Sequence, residues 1–373
     1  MSVDHGLNDK YIELQKYRLM EEIGQGSYGV VKLAFSEEDN SLYALKVLDK
    51  LKLIKNMAFF RRPPPRRGRK VPPWVDPLHM IYKEIAILKK LEHPNVVKLV
   101  EVLDEPNQNY LYLVFEYLEK GSVMEQLPAA PLPEVQAWKY FREAFMGLQY
   151  LHHQKIIHRD IKPVSCEFSG IDAFLTSTAG TPAFMAPESL FVGEPSSSSA
   201  EIVAFDHNMQ IRLPSDQQAK VITGVPLPCF SGKSQDIWAL GATLYSFVYG
   251  EAPFWDPFVL GLHRKIKNGA PRFSHKNRLR QDVSRECIRF IKRMLSKDAE
   301  ERSELFNFED DAWLTGEGEY PLSVDVRTIP VIRVTKKEIA SSIRIFTSLG
   351  TLILIKSMGH RRRLQRLRQE AER

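Results

Sequence analysis

The hydrophobic pattern changes from strand-like to helical near residue 119, and this change constrains the fold more than any other feature of the sequence. Before it, short alternating apolar runs separated by turn formers predict strands, with one helical stretch at residues 81–91. The predicted strands are YRLMEEI, GVVKLAF, LYALKVL, VVKLVEVL and YLYLVFEYL, and the later predicted helices span 134–152, 236–249, 258–268 and 286–296. The sequence therefore predicts an α+β, bilobal fold, with a small antiparallel β lobe that holds one helix and a larger, mainly α lobe.

Composition fits this prediction and argues against several classes of protein. A chain of 373 residues with 43% hydrophobic and 26% charged residues is long enough for two lobes. Its net charge of +6 is concentrated in two clusters, six basic residues at 61–70 and a net +4 at 360–373, so the remainder is mildly acidic. A nucleic-acid binder needs a broad basic face, so we expect no nucleic-acid partner.

Cysteine usage and hydropathy suggest where the chain resides. The three cysteines, Cys166, Cys229 and Cys287, are far apart and form no paired framework, which favours reduced thiols. The N-terminus is too polar for a signal peptide, and the most apolar late stretch, 345–355, is too short to span a bilayer. We expect a cytoplasmic protein without a membrane partner, and the nucleus remains an alternative location.

A glycine-rich run, Gly24-Gln25-Gly26-Ser27-Tyr28-Gly29, lies between two predicted strands. A dinucleotide-binding G-x-G-x-x-G requires a helix directly after the glycines, whereas the residues after this run alternate as in a strand. Glycines let backbone amides approach an anion without a Cβ clash. The run predicts a hairpin that covers phosphate groups, and an ordinary glycine-rich hairpin is the alternative reading.

Lys46 and Glu84 form a second signal. The two-residue period of LYALKVL places Lys46 on one face of its strand together with Ala44. A lysine in a buried strand needs a counter-charge, and Glu84 shares the inward face of the predicted helix with Leu88 and Leu91. We predict an ion pair between Lys46 and Glu84 that presents the lysine to nucleotide phosphates.

Three further motifs occur in order: IIHRDIKP at 156–163, GTPAFMAPE at 180–188 and DIWALG at 236–241. Together with the glycine run and the lysine, this series strongly resembles the protein kinase motif set, from residue 17 to about 314. The resemblance implies ATP as the nucleotide, Asp160 as the base for the substrate hydroxyl, and Lys162 as the cation that neutralises the transferred phosphoryl group. It also implies a structural ion pair between Glu188 and Arg302.

The resemblance further implies an ATP site in which Phe115 guards the back of the adenine pocket and the backbone of residues 116 and 118 forms the hinge. The implied ATP-binding residues are Ile23, Gly24, Gln25, Gly26, Ser27, Tyr28, Gly29, Val31, Ala44, Lys46, Glu84, Glu116 and Leu118.

Within the kinases, the chain is most similar to the calcium/calmodulin-dependent protein kinase kinases. Like them, it carries an Arg/Pro-rich insert between the lysine strand and the glutamate helix, FFRRPPPRRGRK, and a C-terminal SLGTLILIKSM. The resemblance implies a monomeric Ser/Thr kinase that phosphorylates activation-loop threonines of downstream kinases. Residues 339–368 predict a basic amphipathic helix of the kind that binds calmodulin, and the resemblance places its two anchors at Leu349 and Leu364. The alternative interpretation is a terminal helix docked on the large lobe.

The implied domain plan has an N-terminal extension at 1–16 and a small lobe at 17–118 with the insert at 59–77. It continues with a large lobe at 119–314, interrupted by an irregular stretch at 192–230, and an autoinhibitory and calmodulin-binding segment at 315–373. The stretches 61–77 and 192–230 lack a sustained period and predict surface loops or disorder.

The sequence departs from the kinase pattern at the magnesium ligands. Ser165 stands at the position of the catalytic-loop asparagine, and no D-F-G occurs between Asp160 and Ala186, so both expected Mg²⁺ ligands are missing. The gap resembles an in-frame excision after Pro163. Three accounts stay open: a mispredicted exon structure of an active kinase, a catalytically dead splice form, or a pseudokinase acting as a calmodulin-binding scaffold.

Overall fold

A seven-stranded sheet is built from six strands of the N-terminal part of the chain and one strand at residues 344–345. The computed structural model describes residues 12–26, 29–57, 77–105, 108–163, 182–191, 232–322 and 325–345. These residues fall into two compact units, which we call the first unit (12–92, 97–120 and 333–345) and the second unit (93–96 and 121–332). The sequence-based division after residue 118 lies two residues from the division after residue 120.

The sheet belongs to the first unit and has the strand order β1-β2-β3-β4-β6-β5-β7. Neighbouring strands are antiparallel except β5 and β7, which pair in parallel. The strands are β1 (Ile12–Leu14), β2 (Tyr17–Gly26), β3 (Gly29–Ser36), β4 (Ser41–Asp49), β5 (Leu99–Asp104), β6 (Tyr110–Glu116) and β7 (Arg344–Ile345). All five predicted strands are present, and β1 and β7 are additional.

Alternation of apolar side chains gives the sheet an apolar face, and the central strands β4 and β6 are buried on both faces. A cluster on this face joins strands from β1 to β6, which explains why the short β1 is held in place. Its buried members are Leu14, Tyr17, Leu19, Ala34, Leu45, Leu103, Tyr112 and Val114.

Among its described residues, the first unit also contains three helices: α1 (Lys50–Met57), α2 (Pro77–Lys89) and the short α8 (Lys336–Ser341). The predicted helix at 81–91 corresponds to α2, which begins four residues earlier. Helix α1 was not predicted, although Asp49 caps it by accepting hydrogen bonds from the backbone N–H groups of Leu51 (2.9 Å) and Lys52 (3.1 Å).

The second unit is built from α3 (Glu134–His153), α4 (Gly232–Tyr249), α5 (Val259–Asn268), α6 (Arg285–Met294) and α7 (Ala312–Thr315). Four of these helices were predicted, with ends within four residues of those observed. Helix α4 runs through the core, because almost all of its residues are buried. At Gly241 a Cβ would lie 2.6 Å from the Cβ of Met294, so the glycine permits the close packing of α4 on α6.

The C-terminal helix predicted from residue 339 differs from the structure. Helix α8 ends at Ser341, and residues 344–345 form β7 instead of continuing as a helix. The reason is that Ile339 and Ile343 are buried in the first unit, while the backbone of β7 pairs with the edge of β5. Residues after 345, the Arg/Pro-rich stretch before Pro77 and the stretch 192–230 lie outside the described residues.

Within the described ranges, no helix combines the length and the apolar character needed to cross a membrane.

Candidate functional site

The glycine run forms a hairpin, as the sequence predicts. Strands β2 and β3 pair with Gly26 opposite Gly29 and Gly24 opposite Val31, and the intervening Ser27 and Tyr28 lie outside the described residues. The two glycines nearest the ends of the run differ in what surrounds them. A Cβ on Gly29 would lie 1.6 Å from the carbonyl oxygen of Val47, whereas one on Gly24 would meet only the side chain of Val31 at 3.6 Å. Gly29 is therefore required by strand packing, and Gly24 is not.

Lys46 lies at the centre of β4, opposite Val31 on one neighbouring strand and Leu113 on the other. Only 1% of Lys46 is exposed, so its ammonium group is buried as predicted. Glu84 is half-buried on α2 in the same unit. The Lys46–Glu84 ion pair itself stays a prediction.

The residues implied for the adenine pocket also lie in the first unit. Val31, Ala44 and Phe115 are buried, while Ile23 and Leu118 are exposed, as is Gln25. The backbone N–H of Glu116 donates to the carbonyl oxygen of Lys98 at 3.2 Å. Since this N–H is engaged, only the carbonyl of Glu116 remains for the predicted contact with an adenine amino group, and the predicted donor would come from the backbone of Leu118.

Asp104 connects the two helices that flank the Arg/Pro-rich insert, a role that was not predicted from the sequence. Its carboxylate accepts a hydrogen bond from Lys50 at the start of α1 (2.8 Å) and another from the hydroxyl of Tyr82 on α2. Lys50 and Asp104 are both buried. A buried aspartate at the end of a strand needs such partners. The position of Asp104 at the end of an apolar strand is therefore the signal that could have identified its role.

The predicted catalytic residues lie on a loop of the second unit that is held by Asp236. This fully buried carboxylate accepts hydrogen bonds from the backbone N–H groups of His158 (2.7 Å) and Arg159 (2.6 Å) and contacts His152 Nε2 (2.8 Å). Arg159 has a left-handed backbone with φ of 68°, which is strained for a residue with a side chain. The two backbone contacts to Asp236 hold this strained loop in place, and the contact with His152 joins Asp236 to α3.

Asp160 and Lys162 meet on this loop. The Lys162 ammonium donates to Asp160 Oδ2 at 3.1 Å, and the side chains are only 16% and 12% exposed. The backbone N–H of Asp160 donates to His158 Nδ1 at 3.3 Å. Burial lowers the pKa of His158, against an opposing influence of Asp236 and Asp160, which favours the neutral ring that this acceptor role requires. The loop ends where the carbonyl of Pro163 accepts from Met124 N–H at 3.1 Å.

The predicted ion pair between Glu188 and Arg302 is confirmed. Arg302 Nη2 lies 2.7 Å from both carboxylate oxygens of Glu188, and Arg302 is fully buried. Ser234 at the start of α4 donates to the same carboxylate at 3.1 Å. This bidentate pair fastens the segment 182–191 to the core of the second unit.

The described residues do not fit a bound Mg²⁺. Among them, no three His, Cys, Asp or Glu side chains gather into a cluster that could hold a metal ion. Ser165, which stands at the position of the expected asparagine, lies outside the described ranges.

Comparison with known proteins gives a consistent assignment. A model of the protein kinase domain matches residues 17–166 and 229–314. The unmatched interval, 167–228, includes most of the irregular stretch at 192–230. The chain is 48% identical, over 97% of its length, to a calcium/calmodulin-dependent protein kinase kinase of Caenorhabditis elegans. It is 30% identical over 92% of its length to the serine/threonine-protein kinase ssp1 of Schizosaccharomyces pombe. It is 32% identical over 70% of its length to SNF1-activating kinase 1 of Saccharomyces cerevisiae. The chain spans 64%, 50% and 24% of these relatives, respectively.

Proposed function

This chain belongs to the protein kinase domain family, and on that premise we propose that it is an ATP-dependent serine/threonine kinase of the calcium/calmodulin-dependent protein kinase kinase type. The observation that carries the proposal is the contact of Lys162 with Asp160 on a loop fixed by Asp236. Such a pair places a proton acceptor and a cation side by side, as phosphoryl transfer to an alcohol requires.

In the proposed reaction, the hydroxyl oxygen of a substrate serine or threonine bonds to the terminal phosphorus of ATP. Asp160 accepts the proton that this hydroxyl loses. The bond from that phosphorus to the bridging oxygen breaks, and ADP leaves with the electron pair. Lys162 stabilises negative charge on the transferred group. In the first unit, the glycine hairpin and the buried Lys46 are suited to bind the nucleotide phosphates.

Two relatives suggest the substrate class. One is named a protein kinase kinase, a name that describes a protein acting on a protein kinase, and another is named an SNF1-activating kinase. We propose that the substrates of this chain are downstream protein kinases, phosphorylated on activation-loop threonines, and that the basic insert at 59–77 contributes to docking them. We also propose calmodulin as a regulatory partner, a monomeric state and a cytoplasmic location, with the nucleus as the alternative.

A second candidate function arises from Ser165 and the missing D-F-G. Without magnesium ligands, the chain would act as a non-catalytic, calmodulin-binding scaffold. The two candidates differ in nucleotide binding: the scaffold should show calcium-dependent calmodulin binding without a thermal shift on addition of Mg-ATP.

The deciding experiment incubates the purified chain with Mg-ATP, calcium and calmodulin and with a catalytically inactive downstream kinase as substrate. We expect phosphothreonine in the substrate, detected by mass spectrometry, and none above background with the Asp160→Asn variant. Equal incorporation by both proteins would assign the signal to a contaminant, and no incorporation together with no thermal shift would favour the scaffold.

A further inference from the structure

Four neighbouring apolar side chains are exposed on the second unit, in the turn that leads into α5 and in its first residues. Trp255, Phe258, Val259 and Leu260, which we call the α5 patch, are 70%, 74%, 59% and 79% exposed. Single exposed apolar residues are ordinary, whereas a group of adjacent ones marks a surface that contacts a partner. The proposed reaction uses none of these residues.

The turn that carries the α5 patch is held by Asp256. Its carboxylate accepts a hydrogen bond from the backbone N–H of Phe258 at 3.0 Å. The Lys265 ammonium lies 2.9 Å from the same carboxylate and also donates to the carbonyl oxygen of Trp255 at 2.9 Å. A Cβ on Gly261 would lie 2.3 Å from Asp256 Oδ1, so the lack of a side chain there lets the aspartate pack closely on α5. Because the turn is already ordered, a partner that binds it loses little affinity to conformational entropy.

The opposite side of α5 is fixed to the core of the second unit. Leu262 and Ile266 are buried in that core. Helix α5 also contacts the segment 187–191, which the Glu188–Arg302 pair fastens to the same core. The α5 patch is therefore joined firmly to the unit that carries the candidate catalytic loop.

The surface around the α5 patch is strongly basic. Residues 252–285, which lie between two glutamates, include eight lysines and arginines against two aspartates, a net charge of +6. Seven of these eight cations are exposed. Both aspartates are paired with lysines, Asp256 with Lys265 and Asp282 with Lys276. The acidic remainder of the chain conceals this cluster in the overall charge.

Sequence spacing and contacts place some of these cations beside the α5 patch. Arg264 follows Leu260 by four residues, so the two side chains share one face of α5. Arg278 Nη2 lies 3.1 Å from the position that a Cβ on Gly250 would take. Trp255 is five residues from Gly250, at most about 18 Å along the chain. A partner that covers the patch therefore meets positive charge around it, and an acidic partner is the complement.

The shape of the α5 patch favours a protein partner over a membrane surface. Successive residues of an α-helix project about 100° apart, so the consecutive apolar residues that begin α5 point in different directions. A flat lipid surface suits a helix with a single apolar face, whereas a concave protein surface can enclose diverging side chains. Tryptophan and arginine, both present here, are enriched among the residues that dominate the affinity of protein interfaces.

We propose that the α5 patch docks a protein substrate through an acidic surface that carries apolar side chains, outside the segment that is phosphorylated. The proposal rests on the proposed function, since it assumes that the partners of this chain are protein substrates. Two sites of the second unit would then share the recognition of a substrate. The loop with Asp160 and Lys162 meets the hydroxyl, and the α5 patch selects the protein that carries it.

The test measures binding of the full chain to a catalytically inactive downstream kinase in the absence of ATP, so the result does not depend on catalysis. We expect Trp255→Ala and Leu260→Ser each to weaken the affinity at least about tenfold, because an apolar contact is lost. Leu51→Ser is the matched control, since Leu51 is also an exposed leucine at the second position of a helix, α1. It should keep the affinity within about twofold, and all three variants should melt within about 2 °C of the unmodified chain.

Further measurements address the charge and the class of the partner. Arg264→Glu should weaken binding of the inactive kinase, and the difference should shrink at high salt because the interaction is screened. A short peptide that contains only the phosphorylated threonine and its neighbours should bind every variant equally. Phosphatidylserine vesicles should show no binding that depends on the α5 patch.

Unchanged affinity of the inactive kinase in both Trp255→Ala and Leu260→Ser, or no binding of that kinase at all, would overturn the proposal. An equal loss in Leu51→Ser would do the same, and vesicle binding that disappears in the patch variants would assign the patch to a membrane instead. The proposed function fails separately from the docking surface. Patch-dependent binding without phosphorylation on addition of Mg-ATP, calcium and calmodulin contradicts the kinase activity alone, whereas phosphorylation with patch-independent binding contradicts the docking surface alone.

Discussion

A single buried carboxylate, that of Asp236, positions the candidate catalytic loop. In the sequence, Asp236 is the first residue of the motif DIWALG, and no role was predicted for it. The structure shows it receiving two backbone N–H groups from residues 158 and 159 and contacting a histidine on α3. Ionised groups without water are tolerated only with such partners, so the burial of Asp236 explains its contacts.

We predict that Asp236→Asn destabilises the second unit by about 3 kcal/mol, because the amide cannot accept all of the hydrogen bonds that the carboxylate accepts. Denaturant unfolding of the full chain measures the loss. As a matched control, Asp282→Asn removes a carboxylate that is 86% exposed and pairs with Lys276 at the surface, so it should change stability by less than about 0.5 kcal/mol. Equal losses in both variants would contradict the proposed role.

The glycine hairpin offers a second comparison at the scale of single residues. Gly24→Ala should fold normally, since a Cβ there meets only Val31 at 3.6 Å, but it should weaken ATP binding if phosphates approach the backbone at this point. Gly29→Ala should disrupt the sheet, because the added carbon would overlap the Val47 carbonyl at 1.6 Å.

Thermal unfolding combined with titration of labelled ATP separates the two effects. A Gly24→Ala variant with unchanged ATP affinity would argue against a phosphate-binding role for this glycine. A Gly29→Ala variant with an unchanged melting temperature would contradict the steric argument.

At the scale of elements, hydrogen bonds and ion pairs fix short segments that have little structure of their own. The 3-10 helices Pro182–Phe184 and Pro187–Phe191 are too brief to be stable alone, and the Glu188–Arg302 pair anchors them. Helix α8 has six residues and depends in the same way on its capping box and on Lys90.

We predict that Glu188→Gln costs about 3–5 kcal/mol of stability, because it leaves the fully buried Arg302 guanidinium without its charge partner. Burial already lowers the pKa of Arg302, and Glu188 opposes that effect. The double variant Glu188→Gln with Arg302→Met should recover part of the loss, since no uncompensated charge then remains. Additive losses in chemical denaturation would show that the two residues do not act as a pair.

At the scale of the whole molecule, both units contain buried tyrosines that tie their stability to pH. Burial raises the pKa of Tyr17 and Tyr112 in the first unit and of Tyr245 in the second. It also raises the pKa of Tyr249 to about 12. In the unfolded chain, these groups release their protons near the ordinary value of about 10.

The contribution of these tyrosines to stability should therefore be constant below pH ~10 and fall between pH 10 and 12, because the unfolded state binds fewer protons there than the folded state. Melting temperatures across this range, with tyrosinate absorbance followed in parallel, test the prediction. Tyr249→Phe should reduce the slope. A melting temperature that rises from pH 10 to 12 would contradict it.

Much of the fold could be predicted from local patterns. Alternation predicted five strands, and helical spacing predicted α2 and four helices of the second unit, because each pattern depends on residues close together in the chain. The short elements were missed for the same reason. Strands β1 and β7 have three and two residues, too few for a detectable period, and only their neighbours stabilise them.

The sequence by itself determined the family, the candidate residues Lys46, Asp160 and Lys162, and the Glu188–Arg302 pair. Short motifs identify these residues, and the resemblance to the kinases assigns their roles. Only the tertiary structure decided which groups hold them in place. Arg159 and Asp236 are 77 residues apart, and Lys90 and Glu338 are 248 apart. Contacts across such distances depend on the packing of whole elements, and the pattern of neighbouring residues does not encode them.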